Sequence, residues 1–494
     1  MLRHLGLGCF DAARIFSRCR PSTIPLRWTH HHAPSCGSHP EPSDSPLDAA
    51  QDPGWVMLNK YGIRADDTFF AEADTVASCP VFRGRHLRVS IGRAPPPAST
   101  FIYYNLQYSA LGQDGYSSDI SAGEDDKNVV DECQEDDEDV DESEEEEEED
   151  DDAEEWGISV VAAQCDSVLL ELSHRRCPYG YDSVHLLYTA GATRSPSLAL
   201  LPERDFLTKS EQHSGHQHTF SPQSRDTGLL RRSEVDVLLV QLNNFYDRSS
   251  KQLMAEFCLF RHGATQWELK EPVPIIQDDG SSTERLWTRG GRDTIVTLGN
   301  RFLCCVRYET GFLLCVMADE EKPKLRYVPL PHGVCWDPKE YDDDEPKHSK
   351  NMGAAGASAV RFVSIDPHCC CGGPGRSTCV RSRYAFTINT WTMNLSMDEP
   401  LIWVKDGEID CEELWGQPGY KGLPHANLEC PIVSLDDPNI VCFLVSNFPF
   451  VTSYEGEKIW MIQVNIKTKA LLSAVQCSND LWRAYHHLPA RFEC

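Results

Sequence analysis

The apolar residues of this chain come in short runs, each cut off by Gly, Pro or a charged turn, and that spacing constrains the fold more than any other feature. Val235 to Leu242, Met254 to Phe260, Phe302 to Tyr308 and Phe312 to Met317 all have strand length, and none approaches the roughly 18–20 apolar residues that cross a bilayer. Few segments carry a helical period, so the sequence predicts a mainly β protein. Two stretches repeat the same order of runs. Ile295-Val-Thr-Leu, Phe302 to Val306, Phe312 to Val316 and Leu325 to Val328 match Ile432-Val-Ser-Leu, Val441 to Val445, Ile459 to Val464 and Leu471 to Val475, each reading as a four-strand meander. Their starts lie 137 residues apart, close to three units of about 45, the span of a propeller blade. Strands at Tyr384 to Trp391 and Leu401 to Val404 fill part of the gap. The expected fold is a β-propeller of about six blades, with sandwiches or barrels as the alternative.

Charge and composition divide the chain. The first forty residues hold five Arg and one acid, Asp11, and Leu2, Leu5, Cys9, Ala12 and Phe16 share one side of a helical projection. Residues 1–40 therefore read as a transit peptide, mitochondrial by expectation, with cytoplasm or nucleus the alternative if the leader is only a basic tail. Residues 41–54 read as a linker, and the β domain starts at Trp55 with short runs that include Phe69-Phe70, Val81-Phe82, Leu87 to Ile91 and Phe101 to Tyr104. Residues 117–155 interrupt it. The segment Glu124 to Glu155 alone carries 23 acids against one Lys, leaving −8 of the net −30 for the rest of the chain. Such charge density opposes any compact state, so this is expected to be a disordered acidic insertion between residues 55–116 and the remainder of the propeller, 156–494. The strands before it are too few to bury a core, so they must pair with strands that follow Trp156. Two further polar stretches, Lys209 to Arg225 and Asp342 to Ala357, read as surface loops, and Tyr308-Glu309-Thr310-Gly311 reads as a hairpin turn with Gly311 at positive φ.

Trp55-Val-Met-Leu-Asn, Gly299-Asn-Arg-Phe-Leu-Cys-Cys-Val, Gly311-Phe-Leu-Leu-Cys and Lys324-Leu-Arg-Tyr-Val-Pro-Leu-Pro331 resemble the plant family called domain of unknown function 1618. The resemblance reaches from about Trp55 to the C-terminal region. It implies a propeller relative of F-box-associated domains and a plant origin, although no F-box-like helical segment is present here. It brings no activity that could be assigned to particular residues.

The 21 cysteines come without a secretory signal, so a disulfide framework is not expected and most should be free thiols. Cys304, Cys305, Cys315 and Cys442 lie inside apolar strands, as small buried hydrophobes do. His368, Cys369, Cys370, Cys371 and Cys379 place five soft ligands on one Gly/Pro-rich loop and are the candidate metal ligands. Adjacent side chains on an extended backbone diverge, and no second Cys-x-x-Cys knuckle is near. Metal binding, redox-sensitive thiols and a loop without a role all remain open, and no cofactor is expected.

Catalytic signatures are missing: no Gly-x-Ser-x-Gly, Walker-type, Gly-x-Gly-x-x-Gly or His-Glu-x-x-His pattern occurs. Gly290-Gly291-Arg292-Asp293 precedes a strand and reads as a tight turn, and His213, His216, His218, His486 and His487 read as solvated. Nucleic-acid binding is not predicted, because no basic stripe interleaved with aromatics occurs. The acidic run would attract a basic protein partner, or serve as a solvating spacer. The leading expectation is a non-enzymatic protein-interaction scaffold. The alternatives are an enzyme with its site in the propeller channel and a thiol- or metal-sensing protein using the Cys369–Cys371 loop.

Overall fold

A strand half exposed to solvent alternates apolar and polar side chains, whereas the runs in this chain are apolar throughout, which requires both faces of each sheet to be covered. The computed structural model shows how. It describes residues 54–82, 84–108, 156–174, 183–190, 195–213, 215, 221–276, 293–332, 334, 349–369, 384–396, 400–446, 458–477 and 487–492. The leader, nearly all of the linker and the acidic insertion lie outside these residues.

The first strands are β1 (Val56–Asn59), β2 (Ile63–Arg64), β3 (Ala77–Pro80), β4 (Arg85–Gly92) and β5 (Ser99–Tyr108). A meander of β6 (Trp156–Gln164), β7 (Ser167–His174), β8 (Ser183–Thr189) and β9 (Ser197–Leu200) follows. The next contains β10 (Thr227–Arg231), β11 (Val237–Asp247), β12 (Gln252–Arg261), the short β13 (Glu268–Leu269) and β14 (Val273–Ile276). Then come β15 (Thr294–Leu298), β16 (Phe302–Arg307), β17 (Gly311–Val316) and β18 (Lys324–Pro329), and after them β19 (Lys350–Ala354), β20 (Ala359–Pro367), β21 (Phe386–Asn394) and β22 (Val404–Asp410). The last meander is β23 (Leu428–Val433), β24 (Ile440–Ser446), β25 (Ile459–Asn465) and β26 (Ala470–Gln476), and β27 (His487–Ala490) ends the series. Helices are short: α1 (Asp67–Glu72), α2 (Lys209–His213) and α3 (Cys411–Trp415).

The first sheet has the order β27-β1-β5-β4-β3, so its innermost strand comes from the far end of the chain. β27 runs antiparallel to β1, with Val56 opposite Ala490. The leading strands β6, β10, β15, β19 and β23 each touch the next, β23 touches β27, and β27 touches β6, closing a ring. Between each pair of neighbouring sheets lies a separate apolar core. On β16, Leu303 and Cys305 pack toward the preceding meander, with Leu238 and Phe257. Cys304 and Val306 pack toward the following one, with Val360 and Phe362. Trp55 and Met57 join Cys442 and Met461, so the last meander packs against the first sheet. This is a mainly β, propeller-like architecture, and one departure from separate blades is clear. β14 pairs antiparallel with β12 and parallel with β18, stitching two meanders into one nine-stranded sheet.

Several expectations change. The matching meanders β15–β18 and β23–β26 are separated by one meander, so the 137-residue offset covers two units and not three. Phe69-Phe70 lies in α1, started by Asp66 accepting from the Phe69 N–H at 3.0 Å, and not in a strand. Lys209–His213, read as loop, is α2, and Lys350–Ala354, also read as loop, is the inner strand β19. There a Cβ on Gly353 would lie 2.6 Å from Val433 Cβ, so the small residues that suggested a loop serve close packing near the axis. Leu401 to Trp403 is not strand; Trp403 Nε1 donates to the Pro329 carbonyl at 2.8 Å, and the strand begins at Val404. Gly311 is not at positive φ but opens β17, and a Cβ on it would meet the Val328 carbonyl oxygen at 2.2 Å.

Candidate functional site

Two polar groupings stand out against the apolar interfaces. The first is a row across three strands. Register places Ser159 on β6 opposite Glu171 on β7, and Glu171 opposite His185 on β8. All three lie at the polar end of the interface whose apolar part contains Leu169, Leu187, Leu229 and Leu239. Ser159 Oγ donates to Glu171 at 3.3 Å, and His185 Nε2 donates to the Pro222 carbonyl at 3.0 Å. Because that acceptor has no proton to give, the Nε2–H tautomer is fixed. Burial pushes the His185 pKa down to about 4 and the Glu171 carboxyl up. Lys60, placed beside the row by the Tyr61–Ser159 bridge, is lowered by burial against the attraction of Glu171. His185 and Glu171 stand 3.9 Å apart, beyond hydrogen-bond reach, and each is committed to another group.

The second grouping contains a residue that the sequence singled out. β20 and β22 both pair antiparallel with β21, so they run parallel and end together. Pro367 lies opposite Phe386 and Asp410 opposite Thr387, and the next residue, His368, donates its backbone N–H to the Ala385 carbonyl at 3.1 Å. His368 Nε2 lies 3.2 Å from Asp410 Oδ2, and Cys411 Sγ lies 3.8 Å from Asp410 Oδ1. Donor atoms of His368, Asp410 and Cys411 all fall within 4.8 Å of one another. Asp410 is held by its place at the start of α3. Its Oδ1 accepts from the Glu412 N–H at 2.9 Å, its own N–H donates to Glu413 Oε2 at 3.3 Å, and Glu413 pairs with Lys469. Cys411 is buried in the core between the last two meanders, while His368 and Asp410 are 32% and 44% exposed, so the grouping opens to solvent on one side only.

Of the predicted metal ligands, His368 belongs to this trio; Cys369 is described but is not part of it, and Cys370, Cys371 and Cys379 lie outside the described residues. Asp410 and Cys411 were missed. The sequence signal available was Asp410-Cys411-Glu412-Glu413, a helix-start pattern, which says nothing about His368 42 residues earlier. Ten described cysteines are in no disulfide, and six of these, Cys79, Cys258, Cys304, Cys305, Cys315 and Cys442, are buried in strands; Cys165 is disulfide-bonded. His487, read as solvated, lies 2.8 Å from Ser99 Oγ and is half-buried.

The fold thus defines a mainly β, propeller-like protein. Residues 306–442, from the end of β16 into β24, match the family model described as protein of unknown function (DUF1618), which supports the resemblance drawn from the Gly311 and Lys324 motifs. That stretch contains His368, Asp410 and Cys411 and omits the Ser159–Glu171–His185 row. Among solved structures, the WD40 domain of SCAP from fission yeast aligns at 11% identity and a TM-score of 0.27 over 66% of this chain; the chain spans 61% of that structure's length. No curated protein matches the chain.

Proposed function

We propose that this protein is an interaction scaffold whose ring of sheets presents a binding surface to another protein. The observation that carries this reading is the pair of apolar side chains facing solvent beside an outer strand: Ile402 is 64% exposed and Val404 60%, with Trp403 between them anchored to Pro329. Arg231 and Asp166, by contrast, are buried charges spent on a joint between neighbouring meanders, at 2.9 Å. The acidic run supplies a long-range, salt-screened attraction that favours a basic partner and raises the encounter rate without setting specificity. Proximity labelling with the full chain tests the reading and reports the compartment together, mitochondrial import being the expectation from the basic leader. The neighbours recovered with the wild-type chain should be lost, at equal expression, from the double variant Ile402→Asp and Val404→Asp. An unchanged set of neighbours would remove this surface from the proposal.

A further inference from the structure

The structure assigns a zinc-type metal site to His368, Asp410 and Cys411. This goes beyond the scaffold reading and does not depend on it. Four donors arranged tetrahedrally at about 2.0–2.3 Å from an ion are separated from each other by about 3.3–3.8 Å. His368 Nε2 lies 3.2 Å from one oxygen of Asp410 and Cys411 Sγ lies 3.8 Å from the other, and one donor atom from each of the three residues falls within 4.8 Å of the others, so a small adjustment of the side chains brings the trio to that edge length. The donors are not neighbours on one extended strand, the arrangement that argued against the Cys369–Cys371 run. His368 follows the end of β20, whereas Asp410 and Cys411, although adjacent in the chain, straddle the junction at which β22 gives way to α3, where the backbone turns from extended to helical and both donors lie near His368.

The donor set selects the ion. An imidazole nitrogen, a carboxylate oxygen and a thiol sulfur together suit Zn²⁺ and its neighbours late in the first transition row, whereas Ca²⁺ and Mg²⁺ take oxygen alone. Supporting contacts orient the ligands. The backbone N–H of His368 is fixed by Ala385, Asp410 is gripped by the cap of α3, and Cys411 is packed among Phe386, Ile388 and Tyr420. Three protein ligands with one open side leave the fourth position to water, the pattern of a site that can exchange a ligand. Binding converts the Cys411 thiol to thiolate and releases its proton to solvent.

The test uses the full chain, reduced and stripped of metal, titrated with Co²⁺ and then with Zn²⁺. One equivalent of Co²⁺ should bind with a thiolate-to-cobalt charge-transfer band, and Zn²⁺ should bleach it. His368→Ala, a half-exposed position, should weaken binding at least ~10-fold while leaving the unfolding midpoint of the metal-free chain unchanged. Cys411→Ser should abolish the band, and the triple change of Cys369, Cys370 and Cys371 to Ser should leave it intact. If Cys411→Ser does not fold, Asp410→Asn replaces it, because Asn still caps a helix and the stoichiometry should fall all the same. No band with the wild-type chain, Co²⁺ affinity unchanged by His368→Ala, or a band lost with the triple cysteine change would overturn the assignment.

Discussion

His185 gives its Nε2 proton to the Pro222 carbonyl across 3.0 Å, which ties the third strand of one meander to the segment entering the next, while burial in the interface, against the pull of that acceptor, keeps the imidazole neutral. An unfolded chain's histidine titrates near 6.5, whereas burial holds this one at about 4. Between those values the unfolded state binds more protons. The contribution of His185 to stability is therefore fully present above about pH 6.5 and is lost as pH falls toward 4, to a total of about 3 kcal/mol. Glu171, whose carboxyl burial pushes up, works in the opposite sense over the lower part of that window. Urea denaturation of the wild type and His185→Gln at pH 7.5, 6 and 4.5 isolates the histidine: the variant should show a flatter fall in stability below pH 6.5.

Gly311 has no room for a side chain. A Cβ would sit 2.2 Å from the Val328 oxygen, which belongs to the strand paired with β17, so Gly311→Ala must displace backbone and not a flexible side chain. The expected loss is about 2–3 kcal/mol, read by chemical denaturation. A cost below ~0.5 kcal/mol would mean that the hairpin yields freely.

Arg361 joins two meanders. From β20 it donates Nε to Thr392 at 3.2 Å, pairs with Asp406, and reaches the Pro438 carbonyl and Asn439 in the turn between β23 and β24. Its side chain is buried, so Arg361→Met removes the cation beside Asp406, which keeps only the Thr390 and Thr392 hydroxyls, leaves two turn acceptors unpaired and should cost about 3 kcal/mol. Lys405→Ala, which breaks an exposed pair with Glu408, should cost less than ~0.5 kcal/mol. Similar costs for the two variants would contradict the role given to the joint.

Residues 121–152 belong to the acidic stretch between β5 and β6. Closing a loop costs only about 0.6 kcal/mol for each doubling of its length. Replacing these residues with a short Gly/Ser turn should leave the thermal midpoint unchanged or slightly raised. A drop of more than about 5 °C would show that the run docks on the sheets.

The sequence made the most of strands that are buried on both faces. β11, β12, β16, β17 and β24 announce themselves as continuous apolar runs because neighbouring meanders cover them on either side. The innermost and outermost strands are less legible. β19, Lys-Asn-Met-Gly-Ala, carries no continuous apolar run and has Gly353 where it passes close to Val433, and β22, Val-Lys-Asp-Gly-Glu-Ile-Asp, is polar because solvent covers much of it. His368 was visible as a ligand type, but Asp410 and Cys411 join it only through the pairing of β20 and β22 with β21, a relation that no local spacing encodes.

The pairing of Val56 with Ala490 also sets an order of events on the ribosome. At roughly 5–20 residues per second, the sheet begun by β1 waits on the order of 20–90 s for the strand that completes it. Throughout that interval the inner edge of β1 stays open, and Met57 faces a gap until Cys442 and Met461 arrive. The nascent chain is therefore an unclosed arc with one unpaired strand edge near its beginning, the moment at which a chaperone or a second nascent copy could most readily engage it.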